Sequence, residues 1–273
     1  MEHRSTMFLS LNPSFDPWTT PPSSPPFVRG STKVLAANVV PGDTSPLKTP
    51  TLLIKSATFD IGVEKVGVVG ICIRNKTMGS SRPSSGTILT DEKDAAQAEI
   101  NALNATGVNK IVLLSHIGYD FDMLLAPLLD FVDVIVGGDS HSLLGDSSKT
   151  KNITDRQPDA GYPKELTNKQ GKKVCIVTAW QYANIVGRLE VRFNDIGDVE
   201  SCTGGPVFLI NEEANWIGKT GTSSTSVKVP LSDEDKVKVA QSLDANYYVQ
   251  TAQNPGALQW ITENKYVKCS NLL

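Results

Sequence analysis

The run EKVGVVGICI, residues 64–73, is apolar or glycine at every position from Val66 to Ile73. A strand turns successive side chains to opposite faces, so a run with no alternation has to be covered on both sides. The same texture returns in KIVLLSH (110–116), VDVIVGG (132–138) and KKVCIVTAW (172–180). The intervening segments have a different period. DEKDAAQAEINALNATG (91–107) reads as a helix with Asp91 as N-cap and acids in its first turn. Ala95, Ile100 and Leu103 supply its apolar stripe, and Gly107 is its stop. FDMLLAPLLDF (121–131) reads as a second, shorter helix. Strands that alternate with helices and need cover on both faces define an α/β layer fold.

Around that centre the pattern predicts further pieces. KVLAANVV (33–40) reads as one buried strand, followed by the turn-rich loop PGDTSPLKTP. TLLIKSATFDI (51–61) folds back on the 64–73 run as a hairpin across Gly62-Val63-Glu64, and GRLEVRFN (187–194) alternates as a half-exposed strand. EEANWIGKTGTSSTSVKV reads as a polar linker, and the residues from Ser232 onward read as helical pieces. The first thirty residues are rich in Pro, Ser and Thr and read as a disordered tail. The apolar MFLSL within them is shorter than a signal-peptide core of about 7–15 residues. No stretch reaches the roughly 18 apolar residues of a membrane span.

A net charge of −3 with no cluster of Lys and Arg excludes the electrostatic footprint of a nucleic-acid-polymer binder. None of the four cysteines stands at C-x-x-C spacing, so a zinc knuckle is excluded. Cys72 and Cys175 lie inside apolar runs and read as packed thiols, whereas Cys202 and Cys269 lie in polar surroundings and are candidates to pair in an oxidising compartment. Sequons at Asn75, Asn104 and Asn152 hint at a secretory history, while the absent signal-peptide pattern argues the other way, so localisation stays unassigned.

The chemistry concentrates in LLSHIGYDFDMLLAPLLDFVDVIVGGDSHSLLGD, residues 113–146. Ligands of α/β folds gather at the carboxyl ends of the strands. His116 ends one apolar run, and Asp139, Ser140 and His141 end another, so both are predicted to open on one rim, with Gly137-Gly138 allowing the chain to turn sharply. Imidazole nitrogen and carboxylate oxygen suit zinc, manganese or iron. The ligand candidates are His116, Asp139 and His141. The surrounding acids read as structural: Asp120 and Asp122 as an N-cap and a first-turn acid, Asp133 and Asp146 as cap or turn residues.

These blocks, followed by YPKELTNKQGKKVCIVTAWQYANIVGRLEVRF and preceded by VLAANVVPGDTSPLK and EKVGVVGICIRNKT, resemble the 5′-nucleotidase branch of the calcineurin-like metallophosphoesterases over about Val34 to Leu209. The resemblance implies a partial metallophosphoesterase-type sandwich of mixed β-sheets flanked by helices over 33–210, with 1–32 as tail and 211–273 as linker and short helical tail. It implies a divalent metal, zinc or manganese, and a nucleotide or other small phosphoester as substrate. His116 falls in the family's [ST]-H-x-G motif and would bind one metal. Asp139 stands where the family's Gly-Gly-His-Ser carries a ligand histidine, and His141 would bind the other metal. The family's general-acid histidine, bridging carboxylate and remaining ligands belong to Asp-x-His, Gly-Asp and Asn-His-Glu/Asp blocks expected before VLAANV. Residues 1–33 contain none of these blocks, and the residues after 210 are too few for a nucleoside-binding domain. Catalytic and substrate-binding residues therefore stay unassigned. The expectation is a chain that holds one metal weakly, hydrolyses nucleotides poorly and self-associates through exposed sheet. Kept beside it are a phosphoesterase for another ester and an inactive metallophosphatase-fold interaction module.

Overall fold

Val66–Cys72 lies inside a six-stranded sheet covered on both faces, which is what its unbroken apolar texture requires. The computed structural model describes residues 34–48, 52–150, 156–181, 184–210, 215–219, 226–230, 232–234 and 248–250. The expected N-terminal tail, Cys269 and most of the expected C-terminal helical pieces lie outside them.

The chain opens with β1 (Val34–Leu35) and β2 (Val39–Val40). The single strand expected over 33–40 is thus two, because the buried Asn38 breaks the run. Its side-chain amide donates to the Cys72 carbonyl at 2.7 Å and accepts from the Cys72 N–H at 2.9 Å, standing in for a strand partner. The 51–61 run divides likewise at Lys55: β3 (Leu53–Ile54) pairs parallel with β1, and β4 (Ser56–Ile61) pairs antiparallel with β5 (Glu64–Cys72) across the predicted turn. After β5 come the short α1 (Arg74–Lys76), a π-turn over Thr77–Ser81, and β6 (Ile88–Leu89), which pairs with β2. Then follow α2 (Glu92–Ala105), β7 (Ile111–His116), α3 (Tyr119–Leu125) with a 3₁₀ turn to Leu128, and β8 (Val134–Gly137). The remaining elements are α4 (Ser147–Thr150), β9 (Lys164–Thr167), β10 (Lys173–Thr178), β11 (Ile185–Phe193), β12 (Val199–Ile210), β13 (Asn215–Lys219), β14 (Ser226–Pro230) and β15 (Tyr248–Gln250). β13 and β14 form a hairpin where the composition suggested a linker, and β15 is a strand where helix was expected. Trp216, Ile217, Val227 and Val229 give those two segments a strand texture that their Ser, Thr and Gly content obscured.

The main sheet runs in the order β4-β5-β7-β8-β10-β9, with β5, β7, β8 and β10 mutually parallel. One face packs Val69, Ile71, Ile111, Leu113, Ile135 and Ile176 against the helices. From α2 come Ala96, Ile100 and Leu103, at i, i+4 and i+7, with Ala95 only partly buried beside them. Asp91 caps that helix by accepting from the Asp94 N–H at 3.0 Å, and Gly107 leaves it at φ +84°, both as the sequence predicts. The other face packs Val66, Val68, Val112, Val134 and Cys175 against Val191, Val199 and Cys202 of the antiparallel β11–β12 pair. The result is a sandwich of mixed sheets with helices on its outer side.

Cys175 is not a free packed thiol. It is disulfide-bonded to Cys202 and joins the two sheets, with 6.4 Å between the Cα atoms. The expected Cys202–Cys269 pairing is therefore replaced, because β12 carries Cys202 into the core opposite β10. Closing a loop over a separation of 27 residues stabilises a fold by about 3–4 kcal/mol in the chain-entropy account. Cys72 remains a free, half-buried thiol.

Asp133 is not a surface turn residue. It is buried at the foot of β8 and accepts from the Ile111 N–H at 2.7 Å, which ties β7 to β8. Burial pushes its carboxyl up to about 7, a shift only partly opposed by the Ile111 N–H. A raised carboxyl contributes stability that is complete below its unfolded value and is lost as pH rises through the folded value. Urea unfolding should show stability falling between about pH 4 and 8, by up to roughly 1.4 kcal/mol per pH unit for each such carboxyl. Asp133→Asn, which keeps a carbonyl acceptor for Ile111, should flatten that slope. An equally steep profile in the variant would refute the assignment.

Candidate metal centre

Three neighbouring parallel strands end side by side. Cys72 of β5 is in register with His116, the last residue of β7, and β8 lies on the far side of β7. The loops that follow carry Lys76, His116 and the Asp139–His141 segment onto one rim at the carboxyl edge of the sheet, where α/β folds gather their ligands. The two strand ends singled out in the sequence do open on the same rim.

Hydrogen bonds fix these loops to one another. The Ile73 N–H donates to the His116 carbonyl at 3.1 Å and holds the chain after β5 against β7. Ser140, from the loop after β8, accepts from the Tyr119 N–H at 3.0 Å and bonds the Ser142 hydroxyl at 2.9 Å. It thus satisfies the first helical N–H of α3 from another loop. The residue at the N-cap position is Gly118, at φ +97°, and neither Asp120 nor Asp122 takes that role. Thr178, ending β10, donates its hydroxyl to the Ser142 carbonyl at 3.0 Å. Asp146 behaves as a local cap, accepting from the N–H and hydroxyl of Ser148.

Asp122 lies beneath the rim and is fully buried. The Ser115 hydroxyl donates to its Oδ1, while Oδ2 has no partner. Burial lifts this carboxyl to about 7, against the lowering effect of the Ser115 bond. Asp122 is a first-turn acid of α3, as the sequence predicts, but α3 turns it inward, against Ser115 and Gly137.

The two glycines before Asp139 serve close approach rather than a left-handed turn. A Cβ on Gly137 would lie 2.2 Å from Asp122 Oδ2, and one on Gly138 would lie 2.9 Å from His116 Nδ1. The sharp turn itself falls on non-glycine residues, Asp139 at φ +75° and His141 at φ +53°. Left-handed backbone at such residues is held by its surroundings and concentrates at functional sites.

His116 Nε2 stands 3.7 Å from Asp139 Oδ1. Two ligand atoms each about 2.1 Å from one ion at a tetrahedral angle stand about 3.4 Å apart, so this pair fits two corners of a single coordination sphere. The imidazole is exposed and the carboxylate mostly covered, at 62% and 14% of side-chain surface. The same Oδ1 forms an ion pair with Lys76 Nζ. Among the described residues no three His, Cys, Asp or Glu side chains stand together as a group able to hold a metal. Among the described residues, His116 and Asp139 thus stand at a spacing that two ligands of one ion could take.

No protein-family model matches the chain. Among curated proteins it is 35% identical over 208 residues to a probable 5′-nucleotidase of Treponema pallidum, covering 76% of this chain and 34% of that protein. It is also 35% identical over 225 residues to the NAD 5′-nucleotidase of Haemophilus influenzae, covering 74% of this chain and 36% of that protein. Among solved structures, the Haemophilus influenzae NAD nucleotidase superposes with a TM-score of 0.72 at 29% identity, over 86% of this chain and 45% of that one. A 5′-nucleotidase precursor of Thermus thermophilus superposes with a TM-score of 0.59 at 36% identity, over 64% of this chain and 33% of that one. The fold is that of a calcineurin-like metallophosphoesterase. Over the part that it spans, the chain belongs to the 5′-nucleotidase family, and it spans about a third of the length of the curated relatives it matches.

The sequence reading missed Lys76 and Asp122 as parts of this site, and it placed Ser140 on the rim without giving it a role. Lys76 follows the carboxyl end of β5 by the same rule that selected His116, but an ammonium is not a metal ligand and carries no signal of this site in the sequence. Gly137→Ala should destabilise the fold by about 1–3 kcal/mol by driving a methyl group into the buried Asp122 carboxylate. Gly161→Ala, where a Cβ meets nothing within 4 Å, is the control and should stay near neutral. Equal denaturation midpoints for the two variants would remove Asp122 from the support of the rim.

Proposed function

We propose that the chain carries one half-site of a metal-dependent phosphoesterase acting on nucleotide 5′-phosphates, with His116 and Asp139 as ligands of one divalent ion and His141 as a third ligand recruited on binding. The observation that carries this reading is the 3.7 Å separation of His116 Nε2 from Asp139 Oδ1 on the rim where the strands end. The nucleotide substrate rests on the names of the relatives, a probable 5′-nucleotidase and a NAD 5′-nucleotidase. Zinc and manganese both suit a His and carboxylate donor set.

When bound, such an ion supplies Lewis-acid polarisation of a phosphoryl oxygen and a more acidic water. The chain's own residues orient that chemistry. Ser140 locks the loop after β8 to α3, Asp122 takes the Ser115 hydroxyl beneath the rim and lies close against Gly137, and Gly138 admits the imidazole of His116 against the backbone. Three ligands suffice for one catalytic ion, whereas a phosphoesterase that clamps both attacking and leaving oxygens uses two ions about 3.5–4 Å apart. We infer that the 273-residue chain hydrolyses nucleotides poorly.

A second reading, a metallophosphatase fold serving as a binding module, draws on the exposed Phe121, Leu124 and Leu128 of the α3 segment. No helix among the described residues is long and apolar enough to cross a membrane. The readings separate when the purified chain is titrated with manganese or zinc and assayed on AMP. The expected result is one ion per chain, lost in His116→Ala, with turnover below the roughly 1–10³ s⁻¹ of ordinary enzymes. Turnover within that range that disappears in His116→Ala would overturn the half-site reading. Binding of no metal at all would favour the module.

A further inference from the structure

We propose that Lys76 is a tethered cation that competes with the divalent metal for Asp139, so that loading the half-site requires the lysine to leave. This rests on the reading of His116 and Asp139 as ligands.

The ammonium of Lys76 pairs with Asp139 Oδ1, the oxygen that also faces His116 Nε2 at 3.7 Å. The oxygen that faces the imidazole is the one the ammonium holds, so in this geometry ammonium and metal claim one position. The carboxylate cannot do without a cation at little loss. Its side chain is 14% exposed, and a carboxylate drawn that far from water is stabilised by whichever positive charge reaches it. Lys76 reaches it from 63 positions away in sequence because the Ile73 N–H bonds the His116 carbonyl and lays the start of α1 along the rim.

The contact is also built to be reversible. The Lys76 side chain is 56% exposed, its stem is a flexible four-carbon chain, and its ammonium regains full hydration on swinging away. Ion pairs with one well-exposed partner are worth about 1 kcal/mol or less, so the lysine lowers metal affinity by a modest factor and does not abolish binding. Arg74, Asn75 and Lys76 are all exposed, so a change at Lys76 leaves the core untouched.

The test is manganese binding to the full 273-residue chain at fixed ionic strength, followed by calorimetry and by the electron paramagnetic resonance of free Mn²⁺. Lys76→Gln should tighten binding by about one-and-a-half- to fivefold, the range set by removing a competing ion pair of this kind. In an Asp139→Asn background the same substitution should change nothing, because the oxygen in dispute no longer carries charge. An unchanged or weaker affinity in Lys76→Gln, with binding still weakened in His116→Ala and Asp139→Asn, overturns the competition and leaves the ligand assignment standing. Manganese affinity indifferent to His116→Ala and Asp139→Asn, or no binding in any variant, overturns both. Thermal melting of Lys76→Gln without metal is the fold control and should show one cooperative transition, slightly below that of the unsubstituted chain because Asp139 is left without its cation.

Discussion

The structure depends on the parallel pairing of β5, β7 and β8. Parallel strands have to be covered on both faces, and here helices cover one side and the β11–β12 pair the other. Parallel strands also all finish at the same edge. Once Cys72 is in register with His116, the loop after β5 and the loop after β7 emerge as neighbours, and the loop after β8 emerges beside them. The packing that makes the core and the alignment that makes the rim are therefore one constraint. The Cys175–Cys202 bond reinforces it by tying the sheet to the layer that covers it.

The central part of this arrangement was legible in the sequence. Unbroken apolar runs can only be strands covered on both faces, the 91–107 segment carried both of its end signals, and His116 and Asp139 stood at ends of such runs. What was not legible depended on contacts between distant residues. Asn38 breaks a strand because its side chain finds the backbone of Cys72, and Asp122 and Asp133 are buried because β7 and β8 close over them. Nothing local distinguishes those acids from the exposed Asp120. Cys175 and Cys202 pair because β12 lies across β10, which no spacing rule reveals. The β13–β14 hairpin was hidden by composition, since Gly, Ser and Thr dominate the segment between and within its strands.

The buried acids show how the rim is held. Asp122 and Asp133 sit at opposite ends of the β7–β8 pair: Asp133 bonds the first N–H of β7, and Asp122 accepts from Ser115 one residue before its last. Both carboxyls are lifted toward about 7 by burial, so near neutral pH a share of each is protonated and the ties between these strands carry less buried charge. A protonated Asp122 also gains an O–H donor, which suits a carboxyl whose Oδ2 faces backbone across Gly137. The geometry at His116 and Asp139 thus rests on groups that never reach the rim surface.

The carboxylate at position 139 alters the electrostatics of that rim. A neutral imidazole there would offer a ligand nitrogen without charge and would have no hold on an ammonium. A carboxylate offers a charged oxygen, shielded from water, with His116 on one side and Lys76 on the other. Its negative charge favours a divalent ion, and for the same reason it favours the nearest lysine. Affinity for metal and occupancy by Lys76 therefore have one origin. The exposure of the two partners sets their balance: the carboxylate keeps its place in the fold, and the lysine is free to exchange its partner for water. Asp139 in that position makes Lys76 part of the site, and neither residue has that role without the other.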